Sequence, residues 1–266
     1  MIHSTDEVVN WLSSRLFGSE PYADILSIEP DLTLDEAYRL QFALMRQRAS
    51  TGDRIVGYKA AFTSEAMQKK FGVSAPMVGS LLASRAYADG VAVALTPGVQ
   101  TIIETEIAVL LKSDLAGPGV THLDALCAIE GYLPAIEIAE IPPPGRSRQM
   151  GIAAHKVTGG IMVGATILPP TGIDLRMEGA VIRRNGEVQG SGTGVEALGN
   201  PLNVVVSIAN TLGAYGESLR AGMVLMTGSV VEYVPVSAGD TIRVDFTRLG
   251  GVSATFTGTP STLDAR

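Results

Sequence analysis

Cysteine is nearly absent from this 266-residue chain: Cys127 stands alone, so no intramolecular disulfide can form. It sits in an apolar helical pattern, Ala125-Leu126-Cys127-Ala128, where a small buried thiol is expected rather than a nucleophile. Histidine is scarce as well, and His3, His122 and His155 are too scattered to form a zinc site. Long apolar runs are missing. Residues 107–111 and 161–167 fall far short of the roughly 20 needed to cross a bilayer, so no transmembrane helix is expected. The opening residues have neither a basic region nor an apolar one of the kind that directs secretion, and the chain is expected to be cytoplasmic. A Lys/Arg stripe is lacking too. With a formal net charge of -7, this argues against nucleic acid or anionic membrane as partners and leaves small molecules as the expected clients. There is no repeat at solenoid period and no Gly-rich phosphate loop. Ser191-Gly192-Thr193-Gly194 has neither P-loop nor dinucleotide spacing and is assigned no nucleotide role.

What is present suffices for one large core, since 46% of the residues are hydrophobic. Residues 1–52 read as a small helical lobe. Ser4 with Glu7 and Thr33 with Glu36 are capping boxes, each preceding apolar residues at helical spacing: Val8, Leu12 and Leu16, then Leu34, Ala37, Leu40 and Leu44. From residue 53 to 266, short apolar runs separated by Gly, Pro, Asn and Asp indicate a β-rich domain. Within it, Thr63-Ser64 is expected to start a helix ending near Gly72, and Thr121 with Asp124 another through Ala128. Asn185-Gly186 between two strand-like runs predicts a type I′ hairpin, because both turn positions need positive φ. Asn200 and Pro201 supply an N-cap and an N1 proline to Leu202, Val205, Ile208, Ala209 and Leu212.

The chemistry begins at Glu104 and Glu106, which interrupt an apolar, β-branched run from Thr101 to Leu111. Residues two apart on a strand share a face, so the two carboxylates converge. A solvated strand face is the bland interpretation. It is the commoner one for a Glu-x-Glu strand, although the apolar flanks narrow the gap, and paired carboxylates in a partly desolvated pocket suit a hard divalent ion such as Mg²⁺ or Mn²⁺. Glu137, embedded in Pro134-Ala135-Ile136-Glu137-Ile138, is a third candidate ligand. Three carboxylates would leave coordination positions open for water and a chelating substrate.

Several segments occur in the order seen in the 2-keto-4-pentenoate hydratases: Gly57-Tyr58-Lys59, Ile103-Glu104-Thr105-Glu106-Ile107-Ala108, the Glu137 segment, Leu198-Gly199-Asn200-Pro201-Leu202, Thr227-Gly228-Ser229 and Ala238-Gly239-Asp240. Through nearly its whole length the chain thus resembles the fumarylacetoacetate hydrolase superfamily, in its hydratase and 4-oxalocrotonate decarboxylase branch. The resemblance implies an α+β fold, a mixed β-sheet roll with a helical N-terminal lobe, and assembly as a homo-oligomer. It also implies Mg²⁺ or Mn²⁺ held by Glu104, Glu106 and Glu137, Lys59 as an active-site cation, and Thr227, Gly228 and Ser229 near the substrate. The expected activity is metal-dependent hydration of a small enolisable 2-oxo acid. Decarboxylation, C–C bond hydrolysis, tautomerisation and a noncatalytic paralogue are the alternatives. Lys59 would otherwise be an exposed lysine at a strand end. The departures surround the reacting carbon. Met77 stands where the hydratases carry Asp, Ile102 where they carry Arg, and Ala153-Ala154-His155-Lys156-Val157 where they show Ala-Asp-Asn-Ala-Ser. His155 is therefore either a replacement acid/base catalyst or a satisfied histidine beneath the site.

Overall fold

Two reciprocal capping boxes start the chain, as they do in the computed structural model, which describes residues 1–64, 67–69, 72–73, 75–141, 145–154 and 158–258. Ser4 accepts the Glu7 N–H while the Glu7 carboxylate takes the Ser4 N–H, and α1 runs Thr5–Leu16. Thr33 and Glu36 do the same for α2, Leu34–Ser50. Val8, Val9 and Leu12 of α1 and Ala37, Leu40 and Leu44 of α2 are buried in the same apolar cluster as Ile107 and Phe256 of the β-rich part. Leu34, at the first helical position, stays exposed. Buried Gln41 donates from its amide to the carbonyls of Val78 and Ile152, tying α2 to the β-rich part.

Thirteen strands are seen among the described residues. The first seven are β1 (Ile55–Ala61), β2 (Met77–Leu82), β3 (Ala86–Ala88), β4 (Ala92–Ala94), β5 (Gln100–Leu111), β6 (Ile129–Ile141) and β7 (Thr158–Val163). Then come β8 (Gly179–Arg184), β9 (Glu187–Thr193), β10 (Val224–Ser229), β11 (Val234–Val236), β12 (Thr241–Phe246) and β13 (Gly251–Thr257). One sheet has the order β2-β1-β10-β5-β6-β7-β3, with β11 also on β5; the other runs β4-β13-β12-β8-β9. Both are mixed, because β1 and β10, β3 and β7, and β4 and β13 pair in parallel. This is the expected α+β mixed-sheet roll.

Side-chain alternation divides the larger sheet into two faces. Ile103, Ile107 and Ile136 enter the main core with Phe256, Val244 and Ile208. The opposite face carries Leu81, Ala108, Leu133, Ala135, Ile161 and Met226, a smaller apolar cluster. Glu104 and Glu106 share the parity of Ala108, so they lie on this second face.

The connections obey their turn chemistry. Asn185 (φ 53) and Gly186 (φ 85) join β8 to β9. Asn200 accepts the Leu202 N–H at 3.0 Å ahead of the helix Pro201–Ala214, which buries Leu202, Val205, Ile208, Ala209 and Leu212. The helix His122–Ala128 starts on the Thr121–Asp124 box. It also corrects an expectation, because Cys127 is exposed. The short helix buries Ala125 and Ala128, and a residue two positions after Ala125 falls on the far side. Ser64 caps the Met67 N–H and residues 67–69 are helical, but the rest of that helix lies partly outside the described residues. No helix among the described residues is long and apolar enough to cross a membrane.

Candidate metal centre

Register decides what alternation alone left open. β5 and β6 pair antiparallel with Glu104 directly opposite Glu137 and Glu106 opposite Ala135, so all three carboxylates rise from one face. One oxygen from each lies within 4.8 Å of the other two. Glu106 is fully buried, Glu137 is 1% exposed and Glu104 is half-buried.

Lys59 enters from β1, three strands from β6 in the sheet order. Flat strands at about 4.8 Å spacing would hold the two backbones roughly 14 Å apart, beyond the combined reach of the side chains, so the pair requires a curled sheet. Its ammonium donates to Glu137 Oε1, and Lys59 is 3% exposed, which removes the surface-lysine interpretation. Three carboxylates thus crowd one face of the sheet, with the Lys59 ammonium bonded to one of them, Glu137. Burial, together with the charges of Glu137 and Glu104, pushes the Glu106 carboxyl well above the ordinary carboxylate range, against the opposing pull of the Gly228 N–H and Lys59.

That N–H comes from a break in the ladder between β10 and β5. Met226 pairs with Ala108 but Ser229 with Glu106, so β10 has one residue too many and bulges at Thr227 and Gly228. The freed Gly228 N–H donates to Glu106 Oε2 at 2.6 Å. Gly228 has φ +93, and a Cβ built there would lie 2.1 Å from Thr63 Oγ1. Gly228→Ala is therefore expected to cost about 2–4 kcal/mol of stability and to weaken divalent-ion affinity by displacing the donor that orients Glu106. A thermal melt and a calorimetric Mg²⁺ titration check this, and wild-type values in both would refute it. Thr227, fully buried, donates its hydroxyl to the Ile107 carbonyl at 2.7 Å, beneath the site. The Ser229 hydroxyl donates to the Val231 carbonyl at 2.6 Å.

A cavity of about 490 Å³ opens over this group, with Lys59, Glu104, Gly228 and Ser229 among the residues at its floor. Its walls include Phe62, Thr63, Met67, Ser191 and Gly192, and its rim Glu196, Glu232 and Tyr233. Phe62 (φ 61) and Leu198 (φ 50) are both non-glycine residues in the left-handed region, and they flank the hydrogen bond from the Leu198 N–H to the Thr63 carbonyl. Sequence reasoning missed Glu196, Glu232 and Tyr233; no local pattern marks them, since β9 and the segment after β10 meet only in the folded chain. His155, the expected acid/base residue, and its neighbours Lys156 and Val157 lie outside the described residues.

The donor set fits a hard divalent ion on an observation of the site itself: Glu106 Oε1 is buried without any hydrogen-bond partner, in the midst of two other carboxylates. The family sequence model described as fumarylacetoacetate (FAA) hydrolase C-terminal matches residues 54–257. The chain belongs to the fumarylacetoacetate hydrolase family. A 2-hydroxyhexa-2,4-dienoate hydratase of Comamonas testosteroni is 34% identical over 92% of this chain and 95% of its own length. A 4-oxalocrotonate decarboxylase of Pseudomonas putida is 34% identical, over 85% of this chain and 87% of its own. Among solved structures, the 4-oxalocrotonate decarboxylase from Pseudomonas putida G7 complexed with magnesium and adipate superposes with a TM-score of 0.88 at 31% identity. That superposition covers 95% of this chain and 97% of the decarboxylase.

Proposed function

We propose that this chain is a divalent-metal-dependent lyase acting on a small enolisable 2-oxo acid, a hydratase of the 2-keto-4-pentenoate type, with Mg²⁺ as its ion and Mn²⁺ as an alternative. The observation that carries the proposal is the unpaired, buried Glu106 Oε1 clustered with Glu104 and Glu137, next to a cavity that Glu104 and Lys59 line. Those three glutamates would hold the ion. When bound, it supplies Lewis-acid stabilisation of negative charge on a substrate oxygen.

The rest is done by the chain's own groups. Lys59 presents a desolvated ammonium to the place where charge grows on the substrate, and an interaction that strengthens as charge develops accelerates the step rather than only tightening binding. Glu137 holds that ammonium by accepting its hydrogen bond. The Gly228 N–H keeps Glu106 turned toward the group. Val230 and Val231 wall the cavity with apolar surface, which lowers the local dielectric and strengthens each of these contacts.

Hydration and decarboxylation separate at the far end of the substrate, where protons and water are handled. The second reading, a 4-oxalocrotonate-type decarboxylase, is favoured by the fold shared with the magnesium-bound decarboxylase over most of both chains. The test is product analysis. Incubation of 2-hydroxypent-2,4-dienoate with Mg²⁺ should consume the dienol and give the 4-hydroxy-2-oxo acid by NMR, and a chelator should stop it. Carbon dioxide release from a 2-oxo dicarboxylate would select the decarboxylase. Absence of metal-dependent turnover with either substrate would end the lyase reading.

A further inference from the structure

The charged groups of the cavity are unevenly placed. Its basic side chain, among the described residues, is Lys59, which is buried at the floor and committed to Glu137. The rim carries two acids, Glu196 and Glu232, both exposed, together with the half-exposed ring of Tyr233, while Met67 in the wall offers further apolar surface. A substrate bound by its 2-oxo acid end at the floor directs its tail to this rim. An uncharged tail meets methionine and tyrosine. A tail ending in a second carboxylate meets two like charges, and no described lining residue offers a cation to receive it.

We infer that the site selects 2-oxo acids with a single carboxylate, and that Glu196 and Glu232 are specificity-determining residues that reject a second carboxylate at the far end. The inference rests on the proposed function and narrows its substrate class. The two glutamates come from different parts of the chain. Glu196 comes after β9 in the turn Gly194–Glu196, and Glu232 lies between β10 and β11. Their convergence at one rim is a property of the fold rather than of a local acidic run.

The rim is wet, so the effect is moderate. One like-charge pair about 5 Å apart in a largely aqueous mouth weakens binding roughly five-fold, and two together give a preference on the order of ten-fold or more. Salt should shrink it, because the Debye length is only about 8 Å at physiological ionic strength.

The experiment compares two stable six-carbon probes, 2-oxohexanoate and 2-oxoadipate, titrated calorimetrically into the Mg²⁺-loaded protein. In low salt, 2-oxohexanoate should bind about ten-fold or more tightly, and the ratio should fall in 0.5 M salt. In the Glu196→Gln, Glu232→Gln double variant it should narrow to within about three-fold. A thermal melt confirms that the variant is folded; should it fail to fold, the salt dependence of the wild-type ratio decides. Equal affinities, tighter 2-oxoadipate, or a ratio insensitive to salt and to the double substitution would overturn the specificity while leaving the proposed function standing. If neither probe binds with Mg²⁺ present, the proposed function falls and the inference with it.

Discussion

Replacing Lys59 by methionine lowers kcat by about two orders of magnitude or more while Mg²⁺ affinity is retained, because the change removes one strong electrostatic contact from the floor of the cavity without removing a ligand. The side chain keeps its bulk, so packing against the curled sheet persists. Its loss leaves Glu137, 1% exposed, without its ammonium. Breaking a buried pair in this way costs about 3–5 kcal/mol, so the metal-free variant should also melt earlier than wild type. A divalent ion offsets that loss, since the cluster is then one charge more negative. Steady-state kinetics at saturating Mg²⁺, with a calorimetric Mg²⁺ titration on the same protein, separates the effects. Undiminished kcat on a verified substrate would remove Lys59 from the chemistry.

Glu106→Gln should weaken Mg²⁺ binding by at least about 100-fold, more than is usual for the residues that merely orient ligands. Its effect on the metal-free protein should have the opposite sign. An unfolded glutamate titrates near 4.3. In the fold, burial and the Glu137 and Glu104 charges raise Glu106 well above that. A raised carboxyl contributes stability that is fully present below the unfolded value and is lost as pH rises through the folded one. Wild-type protein in chelator should therefore lose melting temperature between pH 5 and pH 8 relative to Glu106→Gln, and added Mg²⁺ should reverse the loss in wild type alone. Melts across that range, with and without Mg²⁺, test both halves. Parallel curves for the two proteins would show that Glu106 is not held in this environment, and equal Mg²⁺ affinities would sink its assignment as a ligand.

The residues that carry these predictions were legible to different degrees. Caps and turns are local: the Ser4–Glu7 and Thr33–Glu36 boxes, the Asn185-Gly186 hairpin and the Asn200-Pro201 helix start depend on groups within a few residues of one another, so spacing predicts them. Glu104 and Glu106 on one face arise equally from the two-residue period of a strand. Cys127 went wrong because a seven-residue helix has too few turns for its apolar pattern to fix which side is buried, and packing buried Ala125 and Ala128 instead.

The sequence by itself determined where helices start, where the hairpin turns, that no intramolecular disulfide can form, and that two carboxylates share one strand face. Tertiary structure alone decided that Glu137 stands opposite Glu104, that Lys59 reaches it from three strands away, that a bulge turns the Gly228 N–H onto Glu106, and that Glu196 and Glu232 meet at one rim. The division has a physical basis. Caps, turns and alternation are set by interactions between near neighbours, whereas pairing register and sheet curvature are set by how the whole apolar surface is buried at once, and the groups of this site come from strands distant in the chain.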